Sequence, residues 1–367
     1  MVRHVRVSAL LAVALVLASA LSASATLILY EPFDYPADRF LANTTPGAGP
    51  NNANSPIGYL APNNNNWYGT GIAAATNYQV ANDGQVTTTD LTVPGLAKPA
   101  ATRSLTLGTT GHTMRLSLNT SIGLPNQTAV NLTDLPDPLA GTDATLQSTD
   151  TAGTGYYSLA LRVDDITGLN ATGGILAGFN NLVNGGTGNP ATVGAGLAIR
   201  PKAGGGPGEF ELGVVDQAAS GFNSATYDTV NAYTTGTTIF VVGKYQTVGV
   251  PGNPVPAETN DVAMLWINPA PSTFGGFDPA GALFNDSANN DIPTNSATNN
   301  HTLQSFVLRQ TGATANNQVP VSVTFDELRV GTNYADVTPV IPEPATLVLA
   351  SLGAAAVALR GRRRRAK

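Results

Sequence analysis

Apolar and polar residues alternate most regularly over residues 156–163, with Tyr157, Leu159, Leu161 and Val163 on one side and Tyr156, Ser158, Ala160 and Arg162 on the other. A period of two is that of a strand half-buried in a sheet. Similar alternation predicts strands over 104–107 and 113–118, joined across Gly108 to Gly111 as a hairpin. Residues 195–200 and 209–215 flank the glycine-rich run 203–208 and predict another hairpin. Residues 238–245 and 262–267 are apolar at nearly every position, the mark of strands covered on both faces. Short strands at 27–30 and 303–309 and a long one over 319–331 complete the pattern.

That last strand changes phase. Val321, Val323 and Phe325 are odd-numbered, whereas Leu328 and Val330 are even, so a β-bulge near Asp326 and Glu327 must absorb one residue. Residues 41–77, 119–152, 247–260 and 270–300 are rich in Asn, Gly, Asp and Pro and read as loops. No stretch between Thr26 and Pro339 carries a helical period. The body, residues 26–339, is therefore expected to be all-β: an antiparallel β-sandwich of roughly eleven strands, jelly-roll or Greek-key in kind, nearly helix-free. Phe240 and Trp266 are expected in its core.

Both ends of the chain depart from this pattern. Arg3, His4 and Arg6 precede an apolar stretch over 7–21 and an Ala23-Ser24-Ala25 cleavage site. Residues 1–25 thus read as a signal peptide, removed by signal peptidase during export, and the mature chain begins near Thr26. At the other end, Pro342-Glu343-Pro344 cannot join a sheet ladder and stays extended. An uncharged apolar run follows over 345–359 and predicts a C-terminal transmembrane helix. At ~1.5 Å per residue it reaches roughly 22 Å, and counting from Ile341 with snorkelling arginines brings it close to a ~30 Å hydrocarbon core. Arg360, Arg362, Arg363, Arg364 and Arg365, in the basic end 360–367, would stay cytoplasmic and set the orientation.

Tripeptide, apolar helix and basic end, in that order over about the last 28 residues, resemble the PEP-CTERM sorting signal of bacterial envelope proteins. The resemblance implies an exosortase as partner, which reads the Pro342-Glu343-Pro344 region, cleaves near it and passes the protein outward. It also implies anchoring in the inner membrane before processing and a cell-surface or extracellular location afterwards.

The two ends mask the charge of the body. They hold eight of the eighteen Lys and Arg but only one of the twenty-four Asp and Glu, so the body carries ten basic against twenty-three acidic residues. A surface this acidic does not attract nucleic acid. The chain contains no cysteine, so the fold relies on its core rather than on disulfides.

Candidate chemistry is sparse. His112 and His301 lack a second His or Cys at ligand spacing and read as solvated loop residues. A G-x-S-x-G elbow is absent. Glycoside hydrolysis needs two acids at a fixed separation. Glu209 and Glu211 share a strand face without a third acid, and Asp326 and Glu327 on a regular strand would point to opposite faces. Asp164, Asp165, Asp286 and Asp291 are candidates for a structural calcium by residue type alone, and no cofactor or metal is expected. The glycines around 204–208 precede no helix and do not form a phosphate cradle. Trp67 and Tyr68 interrupt an Asn-rich loop, either stacking on a sugar or anchoring the loop.

The body itself resembles concanavalin A/LamG-like sandwiches. The resemblance rests on residues 29–36 (LYEPFDYP), 156–162 (YYSLALR), 261–269 (DVAMLWINP) and 325–331 (FDELRVG). It implies a jelly-roll fold. Two classes of function follow. One is a non-enzymatic surface or matrix protein associated with exopolysaccharide; the other is a carbohydrate-binding or glycoside-cleaving sandwich with a loop-built site.

Overall fold

The structure is a computed structural model that describes residues 27–31, 33, 67–70, 85–98, 104–107, 113–117, 146–148, 154–180, 193–217, 225–246, 261–285, 301–303, 305–309 and 321–340. The expected leader and everything after Val340 lie outside them. The first strands in chain order are β1 (Leu27–Glu31), β2 (Trp67–Thr70), β3 (Gln85–Thr87), β4 (Ser104–Leu107), β5 (Thr113–Ser117) and β6 (Leu146–Ser148). Then come β7 (Thr154–Asp165), β8 (Gly174–Asn180), β9 (Gly194–Pro201), β10 (Glu209–Gln217), β11 (Thr226–Tyr227) and β12 (Tyr233–Thr234). The last are β13 (Thr238–Gln246), β14 (Val262–Ile267), β15 (Leu283–Asn285), β16 (His301–Leu303), β17 (Ser305–Arg309) and β18 (Ser322–Gly331).

These strands form two antiparallel sheets. One runs β15-β14-β13-β7-β18-β4-β3, with β1 also on β18; the other runs β11-β10-β9-β8-β17-β5-β2, with β12 on β10. Strands β6 and β16 pair separately. The sandwich-like, mostly β body is as expected, with more and shorter strands than the alternation alone resolves. Among the described residues helix is confined to single turns, of which α1 (Tyr334–Val337) is the α-helical one, in keeping with a nearly helix-free body. Asp336 holds the start of α1 by accepting the Asn333 N–H at 2.9 Å, and four residues are too few to print a helical period on the sequence. Among the described residues no helix is long and apolar enough to cross a membrane. The predicted helix at 345–359 lies outside them.

The main core lies between the sheets, where Tyr157, Leu159, Leu161 and Val163 of β7 meet Leu197, Ile199, Leu212 and Phe306 from the other sheet. Tyr157 meets Phe179 edge-on at 5.5 Å. A second apolar cluster covers the outer face of the first sheet: Tyr156, Ala160, Phe240, Val242 and Trp266 lie under Leu91, Leu96, Phe274, Tyr334 and Val337. This explains the two nearly continuous apolar strands. One face of β13 and β14 meets the opposite sheet, and loops and α1 close over the other. Phe240 and Trp266 are buried as expected, but in this outer cluster rather than between the sheets. The Trp266 indole N–H donates to the Pro279 carbonyl at 2.7 Å, which satisfies its polar edge.

The expected hairpin of 104–107 with 113–118 does not form. Strand β4 pairs with β3 and β18 in one sheet, whereas β5 pairs with β2 and β17 in the other. Alternation specifies which face of a strand is buried, not which neighbour it takes, so the crossover between sheets was invisible in the pattern. The β9–β10 hairpin does form, with the Lys202 N–H donating to the Glu209 carbonyl at 3.1 Å.

The β18 bulge sits where the phase change required it. Val321, Val323 and Phe325 and also Leu328 and Val330 face the main core, which a regular strand cannot achieve. Pairing with β7 shifts register between Asp326 and Arg329, and Glu327 adopts φ = 57°, a left-handed conformation costly for a residue with a Cβ.

Candidate functional site

The bulge occupies the point where β18 changes neighbour. Val323, Thr324 and Phe325 pair with β4, and Leu328 through Gly331 pair with β1. Asp326 and Glu327 fall between the two partners. Instead of pointing to opposite faces, both carboxylates meet the same lysine. Lys98 Nζ lies 3.2 Å from Asp326 Oδ2 and 3.5 Å from Glu327 Oε1, and also bonds Asp90.

Each carboxylate has further fixed donors. Asp326 Oδ2 accepts the Leu91 N–H at 3.0 Å, and its Oδ1 accepts the Glu327 N–H at 2.8 Å. Glu327 accepts the Tyr30 hydroxyl at 2.9 Å and Arg329 Nη2 at 2.6 Å. Arg329 Nη2 also donates to the Ala97 carbonyl at 2.7 Å, and its guanidinium carbon stands 4.6 Å from the Tyr30 ring centroid. Asp326 and Glu327 have 0% exposure.

The electrostatics follow from this burial. Loss of water pushes the Asp326 carboxyl up to about 7, although Lys98 and the Leu91 N–H pull it down. Burial and the adjacent Glu327 charge hold the Tyr30 hydroxyl far above its ordinary value, so it remains a donor. For Lys98 burial acts downward, but the bond to Asp90 and the charges of Asp326 and Glu327 outweigh it and leave the ammonium above its ordinary value.

The segment carrying Lys98 is also the one on which the body ends. Leu96 bridges Val340, and the Ala97 N–H donates to the Pro339 carbonyl at 2.8 Å. Val340 is 48% exposed. The described body therefore ends beside this segment, on the outer side of the first sheet.

A second polar group lies on the outer face of the other sheet. Glu211, 2% exposed, accepts Arg200 Nη2 at 2.7 Å and Lys202 Nζ at 3.2 Å. Arg200 stands 4.0 Å from the Tyr227 ring centroid. That ring occupies the space over Gly213, where a Cβ would come within 2.8 Å of it. Glu209 instead turns into its own loop and accepts the Gly206 N–H at 2.8 Å. The two glutamates of β10 do not converge.

Beside this group Asp228 ties the β11–β12 turn, accepting the Val230 and Asn231 N–H groups at 3.2 and 3.1 Å and the Tyr233 hydroxyl at 2.6 Å. Burial raises its carboxyl, but these donors together outweigh burial and hold it below the ordinary carboxylate value. Its contribution is thus present above about pH 4 and is lost as pH falls through the depressed value. Asp228→Ala is expected to cost about 1–2 kcal/mol locally. Amide exchange at neutral pH should show roughly tenfold lower protection of Val230 and Asn231. Unchanged protection would show that the turn holds itself.

The remaining sequence candidates fall apart in space. Asp164 accepts from Arg162 Nε at 2.6 Å and from the Thr324 hydroxyl at 2.7 Å. Asp165 accepts the Thr167 N–H at 2.8 Å, which lowers its carboxyl. Both are committed to local bonds, and among the described residues no group of three or more His, Cys, Asp and Glu could hold a metal. His301 lies on β16, opposite Ser148, rather than on a loop. Trp67 and Tyr68 form part of β2, which pairs with β5 at the rim of the second sheet. The glycine-rich run 203–208 forms the β9–β10 turn. His112, Asp286, Asp291, Pro342, Glu343, Pro344 and the arginines at 360 and 362–365 lie outside the described residues. No spacing along the chain marks Lys98, whose two buried carboxylate partners, Asp326 and Glu327, lie more than two hundred residues away.

Residues 340–364 match the PEP-CTERM protein-sorting motif. The motif implies an exosortase as processing partner and export to the cell surface or beyond. It begins at Val340, where the described body ends. No curated protein matches the chain. Among solved structures, alginate lyase Aly36B is similar at 13% identity and TM-score 0.33, covering 65% of this chain and 85% of its own. The receptor-binding domain of botulinum neurotoxin mosaic serotype C/D is similar at 11% identity and TM-score 0.34, covering 84% and 48%. Alginate lyase vAL-1 from Chlorella virus has 8% identity and TM-score 0.28, covering 65% and 88%. At these scores the likenesses carry no argument about chemistry.

Proposed function

We propose that this is an exosortase-sorted cell-surface or extracellular-matrix protein, non-enzymatic, with a LamG-like body that associates with exopolysaccharide. The match of residues 340–364 to the sorting motif carries the reading. In it, signal peptidase removes residues 1–25, residues 26–339 form the exported body, and residues 340–367 are the sorting tail. The apolar run 345–359 stalls in the inner membrane. Arg360, Arg362, Arg363, Arg364 and Arg365 resist crossing, each costing roughly 2.5–3.5 kcal/mol at the bilayer centre. Pro342-Glu343-Pro344 is then held at the outer face, extended because proline can neither donate to a ladder nor enter a helix interior. Val340, the last described residue of the body, is half-exposed on the outer side of a sheet, which suits a sorting motif that begins there and is read without opening the core.

Replacing Pro342-Glu343-Pro344 by three alanines is the test. The variant is expected to stay in the membrane fraction at full tail length, while the parent is shortened and recovered at the surface or in the medium. Fractionation followed by C-terminal mass mapping reads both. Normal shortening and release of the alanine variant would overturn the sorting assignment.

A further inference from the structure

The cluster at the β18 bulge is more than an ion-pair network. An amine, a buried carboxyl and a second carboxylate meet in the order that amide formation needs. We infer that Lys98 and Asp326 join in an intramolecular amide bond, with Glu327 carrying a proton in the step that forms it.

Lys98 Nζ stands 3.2 Å from Asp326 Oδ2, so the amine is held against the carboxyl whose carbon it would attack, and the encounter is intramolecular. The Asp326 carboxyl is polarised on both oxygens by backbone N–H groups, Leu91 on Oδ2 and Glu327 on Oδ1. Such fixed donors stabilise the oxyanion that develops when a nucleophile adds to the carbon. Glu327 Oε1 lies 3.5 Å from the same nitrogen, while Arg329 holds Oε2 and Tyr30 donates to the carboxylate. Asp326 and Glu327 are shut away from solvent, and Lys98 is 15% exposed. Burial holds a share of Asp326 in the protonated, electrophilic form near neutrality. Asp90 bonds the same ammonium but is 35% exposed, where water competes with the amine.

The step balances without any added reagent. One ammonium hydrogen of Lys98 passes to the Asp326 carboxyl, leaving a neutral amine beside a carboxylic acid. The amine nitrogen adds to Cγ, and the Cγ–O bond to the hydroxyl breaks. Glu327 takes the second hydrogen from the nitrogen and returns it to the departing hydroxyl, which leaves as water. The third hydrogen stays on the amide nitrogen, and Glu327 is regenerated. In a chain without cysteine, the bond would tie the segment before β4 to the centre of the first sheet.

Mass spectrometry of the denatured full chain decides the matter. The chain is expected to weigh one water less than its own termini require, and a protease digest is expected to contain one branched peptide joining Lys98 to Asp326. Lys98→Arg, which keeps the positive charge, should restore the full mass. Glu327→Gln should leave Lys98 and Asp326 in separate peptides. A parent chain of full mass overturns the bond. So does a water loss that maps to linear peptides, as a succinimide at Asp326 would, or to a link between Lys98 and Asp90. A branched peptide formed as completely in Glu327→Gln as in the parent overturns the role given to Glu327.

Discussion

Gly243→Ala is expected to destabilise the sandwich by about 3–5 kcal/mol, although it adds one methyl group. Gly243 on β13 stands opposite Tyr157 on β7, and the tyrosine ring lies across the glycine. A Cβ there would fall 2.1 Å from Tyr157 Cε1 and 2.2 Å from its Cζ, distances no packed carbon tolerates. The ring cannot step aside freely. It is fully buried, meets Phe179 and Phe306 at centroid distances of 5.5 and 5.0 Å, and its hydroxyl donates to the Ala195 carbonyl at 2.9 Å. That hydrogen bond crosses from one sheet to the other. Moving the ring therefore adds the cost of an unmatched buried hydroxyl and carbonyl to that of overpacking. Tyr157→Phe, which keeps the ring and removes the hydroxyl, should cost about 1 kcal/mol. Denaturant midpoints followed by tryptophan fluorescence compare the three chains. A Gly243→Ala chain within 1 kcal/mol of the parent would show that the ring has another place to go.

Arg329→Met is expected to cost about 3–5 kcal/mol, because it strands a carboxylate rather than because it removes an attraction. Glu327 has 0% exposure, and Arg329 Nη2 supplies its shortest contact at 2.6 Å. The same nitrogen holds the Ala97 carbonyl at 2.7 Å, so the substitution also loosens the segment against which Val340 lies. Adding Glu327→Gln removes the stranded charge. The double variant should therefore recover a substantial part of the loss, which a double-mutant cycle measures directly. Strictly additive effects would mean that the two side chains do not depend on each other.

Much of the fold was legible because a half-buried strand writes its period on the chain. The face of β7 with Tyr157, Leu159, Leu161 and Val163 points to the main core as its alternation required. The phase change from Phe325 to Leu328 located the bulge, since odd and even positions can face one core only if a residue is absorbed between them. The β9–β10 hairpin was legible from its glycine-rich turn. The supposed hairpin of β4 and β5 was not, because the two strands sit in different sheets with equally regular alternation.

The polar cluster shows the same limit more sharply. Asp326 and Glu327 were visible as adjacent acids, and a regular strand would have separated them. The left-handed Glu327 puts both on one side, and only the tertiary fold brings Lys98, Arg329 and Tyr30 around them. By itself, then, the sequence determined the strand faces, the bulge and the sorting tail, because each is written in residues close together along the chain. The tertiary structure decided which strands share a sheet, that loops and α1 bury Trp266 outside the sandwich, and that two carboxylates meet one lysine. Those depend on contacts between segments far apart in the chain, for which local periodicity carries no record.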